Sequence, residues 1–372
     1  MQYLLILVWL MLCALIAGRL NTKKKISIGG EEENYSYKFI PALIIFIPII
    51  IMATNRGWIA DTGAYISEYR NMPNSFDGIS EYMDTISKDR GFYFFTAVIR
   101  ALFGYNYVPY LFIVALIQGL SIIFLYRKYS SDYVFSVFLF VASTDYISWM
   151  FNGIRQFMAV TIILLATPLM IKQTKHFILE KYLPLFAVIL FASLFHQSAL
   201  LMIPFVIICQ GKAWNKWTLI FMAAVVVAIL FVNQFTSILD NLLQETQYKN
   251  VVSDYTSWND DGTNLLRGLV YSIPAILAFI GRKRIAQENS FLINFCTNMS
   301  ILSAGLYIVS MFTSGIFIGR LPIFCSLYSY ILLPWEIKNI FDRDTGKIVK
   351  AIAIIAYVLF YFLIMRYQNG LI

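Results

Sequence analysis

The chain of 372 residues is 59% hydrophobic and 13% charged, with a mean hydropathy of +0.68 and a formal net charge of +8. Soluble domains carry about 25% charged residues. The composition therefore excludes a soluble enzyme or binding module. It predicts an all-α, polytopic integral membrane protein, built on apolar runs of about 17 to 25 residues that each cross roughly 30 Å of hydrocarbon.

The first run, Met1 to Gly18, has no basic residue before it, whereas Arg19 and Lys23, Lys24 and Lys25 follow. That order predicts an uncleaved first helix with its N-terminus outside and the lysines in the cytoplasm. Further spans are expected at about 39–55, 100–126, 133–151, 155–171, 177–195, 198–212, 217–232, 265–281, 291–312, 316–335 and 349–366. The total is about twelve, with both termini outside. Outer loops are expected at about 56–99, where "GFYFF" (Gly91 to Phe95) starts an interfacial helix, and at about 233–264, which holds "SWNDDGTN" (Ser257 to Asn264). There is no internal repeat, low-complexity tract or linker, so residues 1–372 read as one membrane domain.

The apolar run from Tyr182 to Ile208 decides the count. As one helix, its flanks Lys181 and Lys212 would face opposite sides and every later loop would invert. A turn at His196-Gln197 keeps both flanks inside, and nineteen of the basic residues then lie inside against ten outside, the bias that orients membrane proteins. The turn moves His196 from mid-bilayer to the outer ends of two short helices.

The two cations divide unequally. Fourteen of the sixteen lysines fall inside, but eight of the thirteen arginines fall outside: Arg56, Arg70, Arg90, Arg100, Arg155, Arg267, Arg320 and Arg366. The arginine fork grips phosphate or carboxylate through two hydrogen bonds, where lysine offers a point charge. An outward-facing polar cavity built around an anion is expected.

Four stretches could carry its chemistry. In "FNGIRQFMA" (Phe151 to Ala159), Asn152-Gly153 reads as a tight turn, which puts Arg155 and Gln156 in the first turn of the next helix. The helix dipole disfavours a cation there, yet the free N–H groups of that turn attract anions. An interfacial arginine snorkelling to water is the simpler alternative. In "ATNRGWIADTGAYISEYR" (Ala53 to Arg70), Arg56, Asp61, Tyr65, Glu68 and Arg70 crowd the outer surface, and Asp61 and Tyr65, four apart, share a helix face. An exposed loop with ordinary ion pairs would look the same. In "SGIFIGRLPIF" (Ser314 to Phe324), Pro322 breaks the helix beside Arg320, as at polar sites within membranes. His196 is either a buried hydrogen-bonding residue or a proton acceptor, its ordinary pKa of about 6.5 suiting a general base. His176, among cytoplasmic lysines, needs no role.

Other signals are weak. Asp342-Arg343-Asp344 resembles a metal-binding DxD but lies in a short basic loop and reads as solvated. The four cysteines, Cys13, Cys209, Cys296 and Cys325, show neither CxxC nor Cys/His spacing and read as packing residues. No P-loop or GxGxxG is present, and no basic region suits nucleic acid.

Taken in order, these motifs resemble a known group. Arg56 with Asp61-Thr62, Tyr65 and Tyr69, then Asp89-Arg90-Gly91-Phe92, Gly153-Ile154-Arg155-Gln156, Phe195-His196-Gln197-Ser198-Ala199 and Arg320-Leu321 resemble the EpsG family of Wzy-like polymerases of bacterial exopolysaccharide and capsule. The resemblance implies a glycosyltransferase on the outer face of the cytoplasmic membrane that joins oligosaccharide repeat units carried on undecaprenyl diphosphate. Arg155, Gln156, Arg320, Arg56, Arg90 and Tyr65 would bind diphosphate and glycan. His196 or Asp61 would take the acceptor's proton. The donor arrives activated, so no cofactor, nucleotide or metal is implied. The implied partners are the lipid-linked substrate, the bilayer, and the flippase and chain-length regulator of the same pathway. A flippase of the same lipid would also need arginines, but it should show midplane charges and repeat symmetry. A membrane sugar acyltransferase would need a cytoplasmic path for its acyl donor.

Cysteines introduced at Gln197 and at Asn259 should both react with an impermeant thiol reagent from outside the cell. Labelling of only one of them would break this topology.

Overall fold

The structure, a computed structural model, describes residues 2–17, 23–28, 31–242, 263–315, 317–368 and 370–371. Most of the expected loop 233–264, including Ser257 and Asn259, lies outside them. The described chain divides into two compact units, Met1–Ile203 with Ile355–Ile372, and Pro204–Ile354.

The first unit opens with α1 (Gln2–Ala17) and a two-stranded antiparallel sheet, β1 (Lys23–Ile28) with β2 (Glu31–Tyr37). Next come α2 (Phe39–Thr54), α3 (Thr62–Asn71), α4 (Ile79–Asp84), α5 (Arg90–Phe103), α6 (Val108–Tyr129), α7 (Tyr133–Ala142), α8 (Ile154–Leu165), α9 (Thr167–Met170) and α10 (Leu183–Ser193), then the start of α11 (Met202–Cys209). Helices α1 and α2 are apolar all round. They bury one side (Ile6, Leu10, Phe46, Ile50) and expose Leu5, Leu15, Ile40 and Ile51 on the other, the pattern of helices that meet lipid. Proline stands inside α2 at Pro48, where helix interiors in membranes tolerate it.

Helices α2 and α6 pack closely because Gly119 has no side chain. A Cβ there would lie 2.7 Å from Ile50 Cγ1 and 3.2 Å from Phe46 Cε1. Small residues at such crossings let membrane helices approach. The short helices α3 and α5 share one core with α6 and α8: Tyr65, Tyr69, Phe92, Ile99, Tyr110, Val114, Ile154 and Met158. Residues 355–368 also belong to this unit. The Tyr361 hydroxyl donates to the Tyr3 carbonyl at 2.6 Å and lies 2.7 Å from the Tyr146 hydroxyl.

The second unit holds the rest of α11, then α12 (Lys216–Leu230), α13 (Val232–Leu242), α14 (Leu265–Ile280), α15 (Arg282–Glu288), α16 (Phe291–Ser310), α17 (Ile323–Asn339) and the first part of α18 (Arg343–Leu363). Helix α16 is its axis, buried along most of its length against α12, α14 and α17. Two asparagines of α16 fix the preceding turn: Asn298 Nδ2 donates to the carbonyls of Cys209 and Lys212, both at 3.1 Å, and Asn294 Oδ1 accepts from Ala213 N. Asp342 caps α18 by accepting from the backbone N–H groups of Asp344 and Thr345, so the DxD-like triplet is a helix start. All four cysteines are buried and unbridged.

The expected spans resolve unevenly. Among the described residues, three unbroken helices have crossing length and apolarity: Val108–Tyr129, Phe291–Ser310 and Arg343–Tyr367. Three more crossings are possible only as bent pairs, Tyr133–Ala142 with Tyr146–Asn152 (75°), Lys216–Leu230 with Val232–Asn241 (103°) and Leu265–Ile280 with Arg282–Glu288 (70°). The chain is thus an all-α membrane protein with many short apolar helices rather than a set of uniform spans. Hydropathy sees apolar length but not backbone breaks such as Thr144, whose φ of 66° stops a helix within an apolar run.

Gly119→Val should overpack the α2–α6 contact and cost about 1–3 kcal/mol. The check is the unfolding temperature of the detergent-solubilised protein. An unchanged value would mean that the two helices separate freely at this point.

Candidate functional site

The site is built in the first unit, where three segments are tied together. The loop before α3 is stitched to the turn before α8. Arg56 is 2% exposed, and its Nη1 donates to the Met150 carbonyl at 2.7 Å while Nε donates to Thr62 Oγ1 at 3.1 Å. The Thr62 hydroxyl reaches the Phe151 carbonyl, and Asp61 N donates to Asn152 Oδ1 at 3.3 Å. Burial lowers the Arg56 guanidinium to about 10, which leaves it cationic at neutral pH. Its fork is thus spent mainly on holding the chain, with only Nη2 unpartnered among the described residues.

Asn152-Gly153 ends one turn and α8 begins at Ile154, so Arg155 stands in the first helical turn as the spacing predicts. Gln118 Nε2 on α6 anchors that start through the Ile154 carbonyl at 3.1 Å. Gln156 points into the core, 6% exposed.

Arg155 gathers the site. Its Nη1 donates to Asp89 Oδ2 and to the Tyr93 hydroxyl, each at 3.1 Å. A further hydrogen bond joins it to the Tyr65 hydroxyl, and its guanidinium lies 5.7 Å from the Tyr93 ring centre. The Tyr93 hydroxyl in turn donates to Glu68 Oε1 at 3.3 Å. Arg155 keeps 29% of its side chain exposed, against 11% for Asp89, so one side of the fork remains open to a ligand. Tyr65, on the face that the i, i+4 spacing assigned, lies near the exposed Asp61 at the N-cap of α3, whose charge acts on its hydroxyl.

Asp89 is the residue that sequence reasoning missed; Arg90 had been chosen instead. Arg90 is exposed and turns back to the Ile86 carbonyl at 2.9 Å. Asp89 has a left-handed backbone (φ 51°) at the N-cap of α5, a conformation that aspartate tolerates better than most residues. That turn points its carboxylate at Arg155, and the carboxylate also accepts the Gln197 backbone N–H. Next to it, Gly91 N donates to the Leu194 carbonyl at 2.8 Å, and a Cβ on Gly91 would sit 2.8 Å from Leu194 Cβ. Only glycine allows the start of α5 to dock on the segment before His196. A usable signal existed: an aspartate directly before an Arg-Gly helix start, four residues from a tyrosine.

His196 stands where α10 has ended, with extended backbone, and caps the short 3-10 helix Gln197–Leu201. The helix break expected there is present. Its Nδ1 lies 2.6 Å from Ser198 Oγ and accepts the Ser198 backbone N–H at 3.3 Å. A ring nitrogen that accepts from a backbone N–H is unprotonated, so the neutral ring carries its proton on Nε2. Arg320 belongs to the second unit. It ends the 3-10 turn Ile318–Arg320 ahead of Pro322 and α17, at the expected helix break, and is half-buried.

Burial pushes the Asp89 carboxyl above the ordinary aspartate value, and the neighbouring Arg155 and the Gln197 N–H pull it only part of the way back. A carboxyl whose folded value is raised binds its proton more readily in the folded state than in the unfolded chain, so protonation favours folding. Wild-type stability should therefore rise, relative to Asp89→Asn, as pH falls from 7 through the raised value toward the ordinary value of about 3.9. Unfolding temperatures of both proteins across that range test it, and the opposite slope would show that the ion pair outweighs desolvation.

The family model described as "EpsG family" matches residues 39–371. No curated protein and no solved structure matches the chain. The matched region runs from the first residue of α2 to beyond α18 and contains every element of the cluster around Arg155. The chain belongs to the EpsG family, whose members are Wzy-like polymerases of exopolysaccharide synthesis.

Proposed function

We propose that the protein is a polysaccharide polymerase that joins oligosaccharide repeat units carried on undecaprenyl diphosphate, at the outer face of a bacterial cytoplasmic membrane. The observation that carries this reading is Arg155: a partly open guanidinium at a helix N-terminus, oriented by Asp89, Tyr65 and Tyr93. A diphosphate leaving group would take the open side of that fork. As the bond between the anomeric carbon and the diphosphate oxygen breaks, the electron pair leaves with the diphosphate, and a preorganised cation there stabilises the growing charge. The acceptor hydroxyl forms the new bond to the anomeric carbon and gives its proton to a base.

His196 and Asp61 are the two base candidates. His196 can accept a proton at Nε2 only as the other tautomer, with Nδ1–H turned to Ser198 Oγ. Asp61 is exposed beside Tyr65 and needs no such change. Gln156, Arg90 and Arg320 are the remaining residues proposed to contact diphosphate or glycan, and Arg56 positions the Asp61–Tyr65 helix. The same reading includes about twelve crossings with both termini outside, no cofactor, and the flippase and chain-length regulator of the pathway as partners.

The test is purified protein supplied with lipid-linked repeat units, read as glycan length. Arg155→Lys keeps the charge and loses the fork, so the rate should fall on the order of 10²-fold or more. Full-rate polymerisation by the lysine variant would reduce Arg155 to a snorkelling residue. Lipid-linked units that cross vesicle membranes without lengthening would make the protein a flippase. His196→Gln and Asp61→Asn, run side by side, assign the base: the true one should lose about 10²–10⁴ in rate while the protein still folds.

A further inference from the structure

Seven residues beyond Tyr93 on α5, about 10 Å along the axis and on the same helix face, stands a second arginine that the Arg155 cluster does not use. Arg100 is 1% exposed. Its Nε and Nη1 are buried, and neither has a hydrogen-bond partner among the described residues. Its guanidinium lies 4.0 Å from the centre of the Tyr105 ring and 5.7 Å from that of Tyr69. Aromatic faces stabilise the positive charge, but they accept no hydrogen bonds in the plane of the fork. The three N–H groups on these two buried nitrogens are costly to leave empty on a cation unless something fills them.

The surroundings indicate what fills them. Helix α5 stops at Phe103, and the chain turns at Gly104 (φ 64°) before α6 starts at Val108. The Tyr69 hydroxyl reaches the carbonyls of Gly104 and Asn106 and so fixes this elbow. The elbow exposes Leu102 (60%) and Phe103 (47%) directly beside the buried cation, with Tyr105 (67%) covering it. A second cation, the exposed Arg70, stacks 5.3 Å from the Tyr107 ring at the same elbow. An anion site that adjoins an exposed apolar patch suits a ligand with both parts.

We infer that the α5–α6 elbow binds the phosphate group of a membrane amphiphile, with Arg100 as its hydrogen-bond donor and the hydrocarbon laid against Leu102 and Phe103. The ring of Tyr105 is the removable cover. The site is separate from Arg155 and does not depend on glycosyl transfer by this protein.

The probe is dodecyl phosphate mixed into dodecyl maltoside micelles, titrated into the purified full-length protein by calorimetry. Wild type should bind it, and Arg100→Gln should weaken binding tenfold or more. Tyr105→Ala removes an exposed ring without touching the core and should change affinity several-fold, which covers the case in which Arg100→Gln misfolds. Arg282→Gln, an exposed arginine elsewhere, should bind as wild type does. Inorganic phosphate should bind at least tenfold more weakly than dodecyl phosphate. Equal affinity for the two would remove the amphiphile from the proposal, and unchanged affinity in both the Arg100 and Tyr105 variants would overturn the site.

Discussion

The ion pair between Arg155 and Asp89 is the constraint on which the candidate site of the first unit depends. It joins the start of α8 to the start of α5, and through the Gln197 N–H it reaches the turn at His196. An exposed pair of this kind contributes about 0–1 kcal/mol, whereas stranding one member of a buried pair costs about 3–5 kcal/mol. With 29% and 11% of the two side chains exposed, this pair lies between those limits. Its larger effect is geometric. It fixes the plane of a guanidinium that two tyrosine hydroxyls also hold, so that a ligand meets a fork already aimed.

That arrangement follows from backbone features that no side-chain contact could replace. Gly91 lets α5 approach Leu194 to hydrogen-bonding distance, and the left-handed Asp89 turns the chain so that its carboxylate faces α8 rather than solvent. Arg56 secures the third strap by spending its donors on the Met150 carbonyl ahead of α8, the Ala53 carbonyl at the end of α2 and the Thr62 hydroxyl. The Arg155 fork is therefore reached from two segments far from it in sequence, α3 through Tyr65 and the start of α5 through Asp89 and Tyr93.

Much of this was legible in the sequence, for reasons that differ by residue. The helix break at His196 could be read because membrane topology counts charges, and a single 27-residue helix there would have inverted the balance. Arg155 could be read because Asn152-Gly153 marks a turn and a cation just after it is out of place. Asp89 could not: its role arises from docking between residues about a hundred positions apart, which spacing on one helix does not encode. Nor could the elbow at Gly104, since the apolar run continues through it and hydropathy set the span's start at Arg100. No reading of the sequence anticipates the sheet formed by β1 and β2. The bend after Ala142 lies inside the expected span 133–151, where the composition stays apolar.

The hydroxyl of Tyr361 meets the carbonyl of Tyr3 across 358 positions. This contact sets an order of events during synthesis. At about 5–20 residues per second, the first helix emerges roughly 20–70 s before the helix that will hold it. Until then the Tyr3 carbonyl has no Tyr361 hydroxyl to accept from, although α2 and α7 can already pack against α1. The tie between the two ends of the unit forms only after α18 has been made.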